Sequence, residues 1–227
     1  MLRKEVNDNP RGSLKWIRLA VNSRQELLDR EIKACFGLPD DEKLQWVSPL
    51  ARDEYVEYSD QDFLKILGIT LTKTPLSEFW PKRGPSWDAL ALTRANPRRV
   101  LLVEAKAYTG ELKSGGCRAR PAAEEKIRDA LRETQSFLEV NPERDWMAEY
   151  YQYANRLAHL YLLRRLNDID AYLVYVCFLN DTEMGGPTIK AEWATAIAEV
   201  ERKLGILNHK LSEFVGHIYI DVNKLQE

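Results

Sequence analysis

Two opposite charges lie inside an apolar run, Val100-Leu101-Leu102-Val103-Glu104-Ala105-Lys106-Ala107-Tyr108. Side chains of a strand alternate between faces with period two. Glu104 and Lys106 therefore share one face with Leu102, while Leu101, Val103, Ala105 and Ala107 take the other. Both faces are largely apolar, which puts this strand in the middle of a sheet covered on both sides. A buried ion costs several kcal/mol unless something compensates it. The two charges either pair only with each other or serve a metal and a reaction.

A second β-like run, Trp87 to Thr93, precedes the first, and the segment Arg94-Ala95-Asn96-Pro97-Arg98 supplies a turn between them. Asn-Pro is a turn signal, and proline does not sit in a central strand. In the resulting hairpin Asp88 lies beside Glu104 or Lys106. Two carboxylates and a lysine at one place suit a hard divalent cation such as Mg²⁺, which takes one or two carboxylates and keeps several waters. The lysine would hold the attacking water or a phosphate. A salt bridge on a half-exposed sheet, with Asp88 as a strand-start residue, is the other reading of the same residues.

Asp88, followed after a hydrophobic run by Glu104-Ala105-Lys106, resembles the active-site signature of the PD-(D/E)xK (restriction endonuclease-like) nuclease superfamily. The resemblance covers roughly residues 80 to 180 and is one of pattern. Trp87 stands where the signature has proline, with Pro85 close by. The resemblance implies a metal-dependent nuclease hydrolysing phosphodiester bonds, DNA foremost. Asp88 and Glu104 would bind Mg²⁺ or Mn²⁺, together with the carbonyl of Ala105. Lys106 would orient the water or neutralise the transition state. It also implies a polar residue on the following helix directed at the site, matched by Gln152 or Arg156, and an acid on a helix ahead of the sheet, for which Glu26 and Glu31 are candidates.

The formal net charge of −2 provides no global attraction to nucleic acid, so phosphate contacts must come from local basic patches. Two loops supply them. Lys82 and Arg83 lie in the Pro- and Gly-rich approach to Asp88. Lys113, Arg118 and Arg120 surround Gly115-Gly116 just beyond the catalytic strand. With Arg156 these are the substrate-binding candidates. Gly115-Gly116 is followed by Cys-Arg rather than a Gly-Lys-Ser/Thr ending, which excludes a phosphate-binding P-loop. Cys117 has no adjacent histidine, which argues against a cysteine nucleophile. Trp80 and Trp87 are either core residues or platforms for stacked bases. Three cysteines without ligand spacing, no apolar signal region and no run long enough for a membrane helix indicate a cytoplasmic protein without a disulfide framework or a membrane partner.

The remaining segments set the fold class. A polar arm is expected over residues 1–12. Trp16, Ile17, Ala20 and Val21 have helical spacing, and Ser23-Arg24-Gln25-Glu26 has the form of a capping box opening a second helix closed by Gly37. Leu44 to Val47 reads as a strand, 60–67 as a short helix, and 122–138 as an amphipathic helix. Asn141-Pro142-Glu143 predicts the start of a long helix to about Leu166. Asp170 to Leu179 is a central strand, a helix follows through Leu204, and 217–222 is the last strand. The expected architecture is α/β, one domain over 1–227: a mixed central sheet flanked by helices, with a restriction endonuclease-like core over 81–227 and an N-terminal helical extension over 1–80. The competing functions are a catalytically silent binding module, with Tyr150, Tyr151, Tyr153 and Tyr161 as a contact surface, and an enzyme acting on small phosphate compounds. Oligomeric state is left open.

Overall fold

The computed structural model describes residues 9–227; most of the expected N-terminal arm, residues 1–8, lies outside that range. Among the described residues the chain forms one five-stranded mixed sheet with helices on both faces. Helices α1 (Gly12–Ser23) and α2 (Gln25–Phe36) come first, followed by strand β1 (Leu44–Ser48). Two short helices follow, α3 (Asp60–Ile66) and α4 (Leu76–Phe79). The hairpin is β2 (Ala89–Thr93) and β3 (Val100–Lys106). Then come α5 (Pro121–Leu138), α6 (Tyr151–Tyr161), β4 (Ala171–Leu179), α7 (Lys190–Leu204), β5 (Val215–Asp221) and α8 (Asn223–Gln226).

Strand order follows chain order. β1 and β3 each pair antiparallel with β2, while β4 and β5 add parallel to β3. The central position of β3 follows from its sequence: all seven of its residues are buried. Alternation sends Leu101, Val103, Ala105 and Ala107 to the face covered by α1, α2 and α8, where they meet Trp16, Ile17, Ala20 and Ile32. The opposite face, with Leu102, Leu173 and Tyr175, lies under α3 to α7. Glu104 and Lys106 are on this second face. β1 belongs to the segment before residue 81 and pairs directly with β2, so that segment is part of the sheet.

Two helix starts differ from the sequence reading. α2 begins at Gln25, and Ser23 closes α1 instead of capping α2. The long helix expected from Asn141 begins only at Tyr151. Residues 141–150 form turns because local side chains take the amides a helix would use. Asn141 Oδ1 accepts from the Glu143 amide at 2.9 Å, and Asp145 Oδ1 from that of Met147 at 2.8 Å. The indole of Trp146 is drawn inward and donates to the Leu204 carbonyl at 2.9 Å. The helix does reach Leu166, its last turn widening to a π-helix over Leu162–Leu166. No helix among the described residues is long and apolar enough to cross a membrane.

The loop after β4 is held against the end of β3. Asp181, itself buried, accepts from the Trp16 indole at 2.7 Å, and a side chain at Gly186 would collide with the backbone carbonyl of Ala107. Backbone cannot yield as a flexible side chain can. Gly186→Ala is therefore expected to lower stability by about 1–3 kcal/mol, read as a lower midpoint in denaturant unfolding; an unchanged midpoint would show that this loop is free to move.

Candidate active site at the β2–β3 hairpin

The hairpin register pairs Ala89 with Val103, which places Asp88 and Glu104 side by side just past the last backbone pair. Asp88 Oδ2 accepts from the Ala105 amide at 2.7 Å, so a carboxylate occupies the place the β2 backbone has left. The loop before Asp88 is tied down at several points. Asp60 accepts from the amides of Arg83 and Gly84 at 3.0 and 2.8 Å, Trp87 donates its amide to the Tyr58 carbonyl at 3.1 Å, and Arg156 donates to the Ser86 carbonyl at 2.7 Å. Trp87 is fully buried, its ring edge-on to Phe63 and under the guanidinium of Arg156 at 4.8 Å. Its bulk fixes the direction of Asp88. Trp80 is largely buried as well but lines the cleft beside the site, whereas Trp87 does not.

Glu104 is 1% exposed and is held by two cations. Lys106 Nζ lies 2.6 Å from its Oε1, and Arg156 Nε 2.6 Å from its Oε2. Lys106 also donates to Gln152 Oε1 at 2.9 Å. Gln152 is positioned in turn by Ser114, whose hydroxyl accepts the Gln152 amide at 3.1 Å. Ser114 belongs to the loop after β3, which is zipped onto the turns before α6 through Ser114 N to the Glu149 carbonyl and Cys117 N to the Met147 carbonyl. The four-residue spacing from Gln152 to Arg156 puts both on one side of α6, over the end of β3.

These contacts set the charge states. Burial and the neighbouring Glu104 push the Asp88 carboxyl up to about 8, against the opposing pull of Lys106, the Ala105 amide and Arg156. Burial works to raise Glu104 too, but Arg156 and Lys106 outweigh it and hold the group below its usual value. Burial works to lower Lys106, and Glu104 and Asp88 outweigh that, so the ammonium is held above its ordinary value. The resting site thus contains a carboxylate, Glu104, clamped between two cations, beside an Asp88 carboxyl pushed up to about 8.

A cleft of about 520 Å³ opens beside these groups, lined by Asp88, Gln152 and Arg156 within and by Arg83 and Lys113 among its outer residues. Lys113 is exposed and paired with Glu149 at 2.8 Å. Lys82, Arg118 and Arg120 are exposed but do not line the cleft. Arg156 lines it, yet its guanidinium is committed to Glu104, Ser86 and Asn155. Glu26 and Glu31 do not line the cleft and pair with Arg24 and Arg30. His159 is buried among Phe63, Trp80 and Trp87; its Nδ1 is bonded to the Asn155 carbonyl, and burial pushes it down to about 4. It is a neutral packing residue. Of the four tyrosines expected as a contact surface, Tyr150, Tyr153 and Tyr161 are buried, while Tyr151 is half-buried and lines the cleft.

Sequence reasoning missed the part played by Arg156 as the second clamp on Glu104, and it missed Asn155, which orients Arg156 at 3.0 Å. Among the described residues no group of three or more His, Cys, Asp or Glu is gathered in a metal-binding arrangement. No family model, curated protein or solved structure matches the chain.

The raised Asp88 carboxyl has a stability consequence. The unfolded chain loses this proton near the ordinary value of 3.8, the folded chain only near 8. The group's contribution is therefore complete below about pH 4 and is lost as pH rises to 8. Asp88→Asn keeps an acceptor for the Ala105 amide and removes the ionisation. Its melting temperature relative to the parent is expected to rise from pH 4 to pH 8; a constant difference across that range would mean that Asp88 titrates normally.

Proposed function

We propose that this chain is a metal-dependent nuclease hydrolysing phosphodiester bonds, DNA foremost, on a restriction endonuclease-like core. The observation that carries the reading is the convergence of Asp88, Glu104 and Lys106 at one point beside a cleft. The sheet order supports it, with an antiparallel hairpin carrying the acids and two parallel strands beyond. The donor set suits Mg²⁺ or Mn²⁺: two adjacent carboxylates, of which Asp88 faces the cleft, match an ion that takes few protein ligands and brings its own water. When bound, the ion would add positive charge at the phosphate and lower the pKa of a neighbouring water.

The chain's own residues would do the rest. Asp88 and Glu104 would hold the ion. Lys106, whose ammonium rests between Glu104 and Gln152, would swing from Glu104 to orient the water or a phosphate oxygen. Gln152 restrains that swing, and Arg83 and Lys113 meet the phosphate backbone by charge. DNA is preferred on the resemblance to the nuclease superfamily.

The competing reading, a catalytically silent binding module of the same fold, draws on the fact that both Glu104 oxygens already have cationic partners. The test is cleavage of linear, circular and single-stranded DNA and of RNA with Mg²⁺ or Mn²⁺, beside Lys106→Ala. Cleavage by the parent, lowered about 100-fold or more in the variant, is expected. Equal cleavage by both would sink the site assignment, and no cleavage together with no Mn²⁺-induced rise in melting temperature would favour the silent module.

The cleft cations give a second expectation. Arg83→Ala and Lys113→Ala should each weaken DNA binding without abolishing cleavage, and each should flatten the dependence of log K on log salt by about 0.7–0.9. An unchanged slope in both would place the phosphate path elsewhere.

A further inference from the structure

The parallel register lines up Glu104, Tyr175 and His217 in one row across β3, β4 and β5. Tyr175 is 2% exposed, and its ring stacks with those of Tyr153 at 4.5 Å and His217 at 5.1 Å between centroids, the three forming one cluster. Tyr153 is anchored in turn, its hydroxyl 3.3 Å from Glu201 and 3.2 Å from Nε2 of His217. The Tyr175 ring is therefore fixed in a stack. Its hydroxyl, however, is buried with no hydrogen-bond partner among the described residues. It lines a gap with Glu104, Lys106 and Gln152 that is too narrow for a water molecule. An unmet buried hydroxyl costs stability, and such an orphan in a folded protein calls for a reason.

Glu104 supplies the reason. Its two oxygens are taken in the resting site by Lys106 and Arg156. If Lys106 turns to a phosphate or a water, Oε1 loses the donor that it has in the resting site. We propose that Tyr175 is a positioning residue for Glu104: its hydroxyl donates to the carboxylate when Lys106 leaves, so that Glu104 keeps its orientation while the lysine works. The role deepens the nuclease reading and rests on it, but the exchange of hydrogen bonds can be tested without cleavage. It also accounts for the stack, which keeps the ring from following Lys106.

The closing experiment is a stability cycle with Tyr175→Phe in the parent and in Lys106→Met. In the parent, Tyr175→Phe removes an unpaired group and should leave the melting temperature unchanged or raised. In Lys106→Met, where Tyr175 is already the donor to Glu104, the same change should lower it by about 2–4 °C. Equal effects in the two backgrounds overturn the proposal. Should Lys106→Met not fold, the comparison is made with saturating Mn²⁺: the rise it gives the parent should be smaller in Tyr175→Phe, and equal rises, or no rise in the parent, overturn the role. In the cleavage assay Tyr175→Phe should lower kcat about tenfold with KM nearly unchanged; parental kcat overturns it. A positive cycle in a chain that cleaves nothing overturns the nuclease reading and leaves the exchange standing.

Discussion

Glu104 is the group on which the other features depend. A carboxylate at the centre of a sheet, sealed by helices, is tolerable only while cations match it. Lys106 comes from the same strand two residues on, which alternation brings to the same face without further provision. Arg156 comes from α6, and its placement requires the helix to lie across the end of β3 at the right depth. Arg156 also grips the Ser86 carbonyl and covers Trp87, so compensation of Glu104 and alignment of the Asp88 loop are one arrangement. Removing the glutamate would leave two buried cations without a partner. Removing the arginine would free both the acid and the loop.

The same crowding explains why the two acids differ in protonation. Glu104 has two cations in direct contact, whereas Asp88 has an amide and feels the cations only at a distance. Ionising both in one low-dielectric space is unfavourable, and the better compensated one keeps the charge.

Much of this was legible in the sequence. The hairpin, the face shared by Glu104 and Lys106, the central place of 170–179 and the helix over 121–138 all follow from periodicity, which the two apolar cores enforce. Gln152 and Arg156 could be placed on one side of a helix by their spacing, but Arg156 was read as a contact for substrate when its guanidinium is turned inward. Which of two polar residues on a helix is spent on a buried acid depends on helix depth, and periodicity carries no depth. The segment 141–150 was misread for another reason. Asn-Pro-Glu is as good a start for a turn as for a helix, and the choice was made by Asn141, Asp145 and the distant Leu204 carbonyl that receives the Trp146 indole. Tyr175 looked like one more apolar strand residue, because a hydroxyl's lack of a partner is a three-dimensional fact.

The two faces of the sheet are built from different materials. Toward α1 and α2 the central strands present Ala89, Ala91, Ala105 and Ala107, and helices can settle close upon such small residues. Toward α6 they present Glu104, Lys106, Tyr175 and Cys177 beneath a thicker layer of aromatic and charged side chains. One side acts as a backing plate, with little room for any residue to grow, and the other carries the candidate site on long side chains and irregular loops. The exposed positions on that side, Arg83 and Lys113, can change in charge without disturbing the plate behind them.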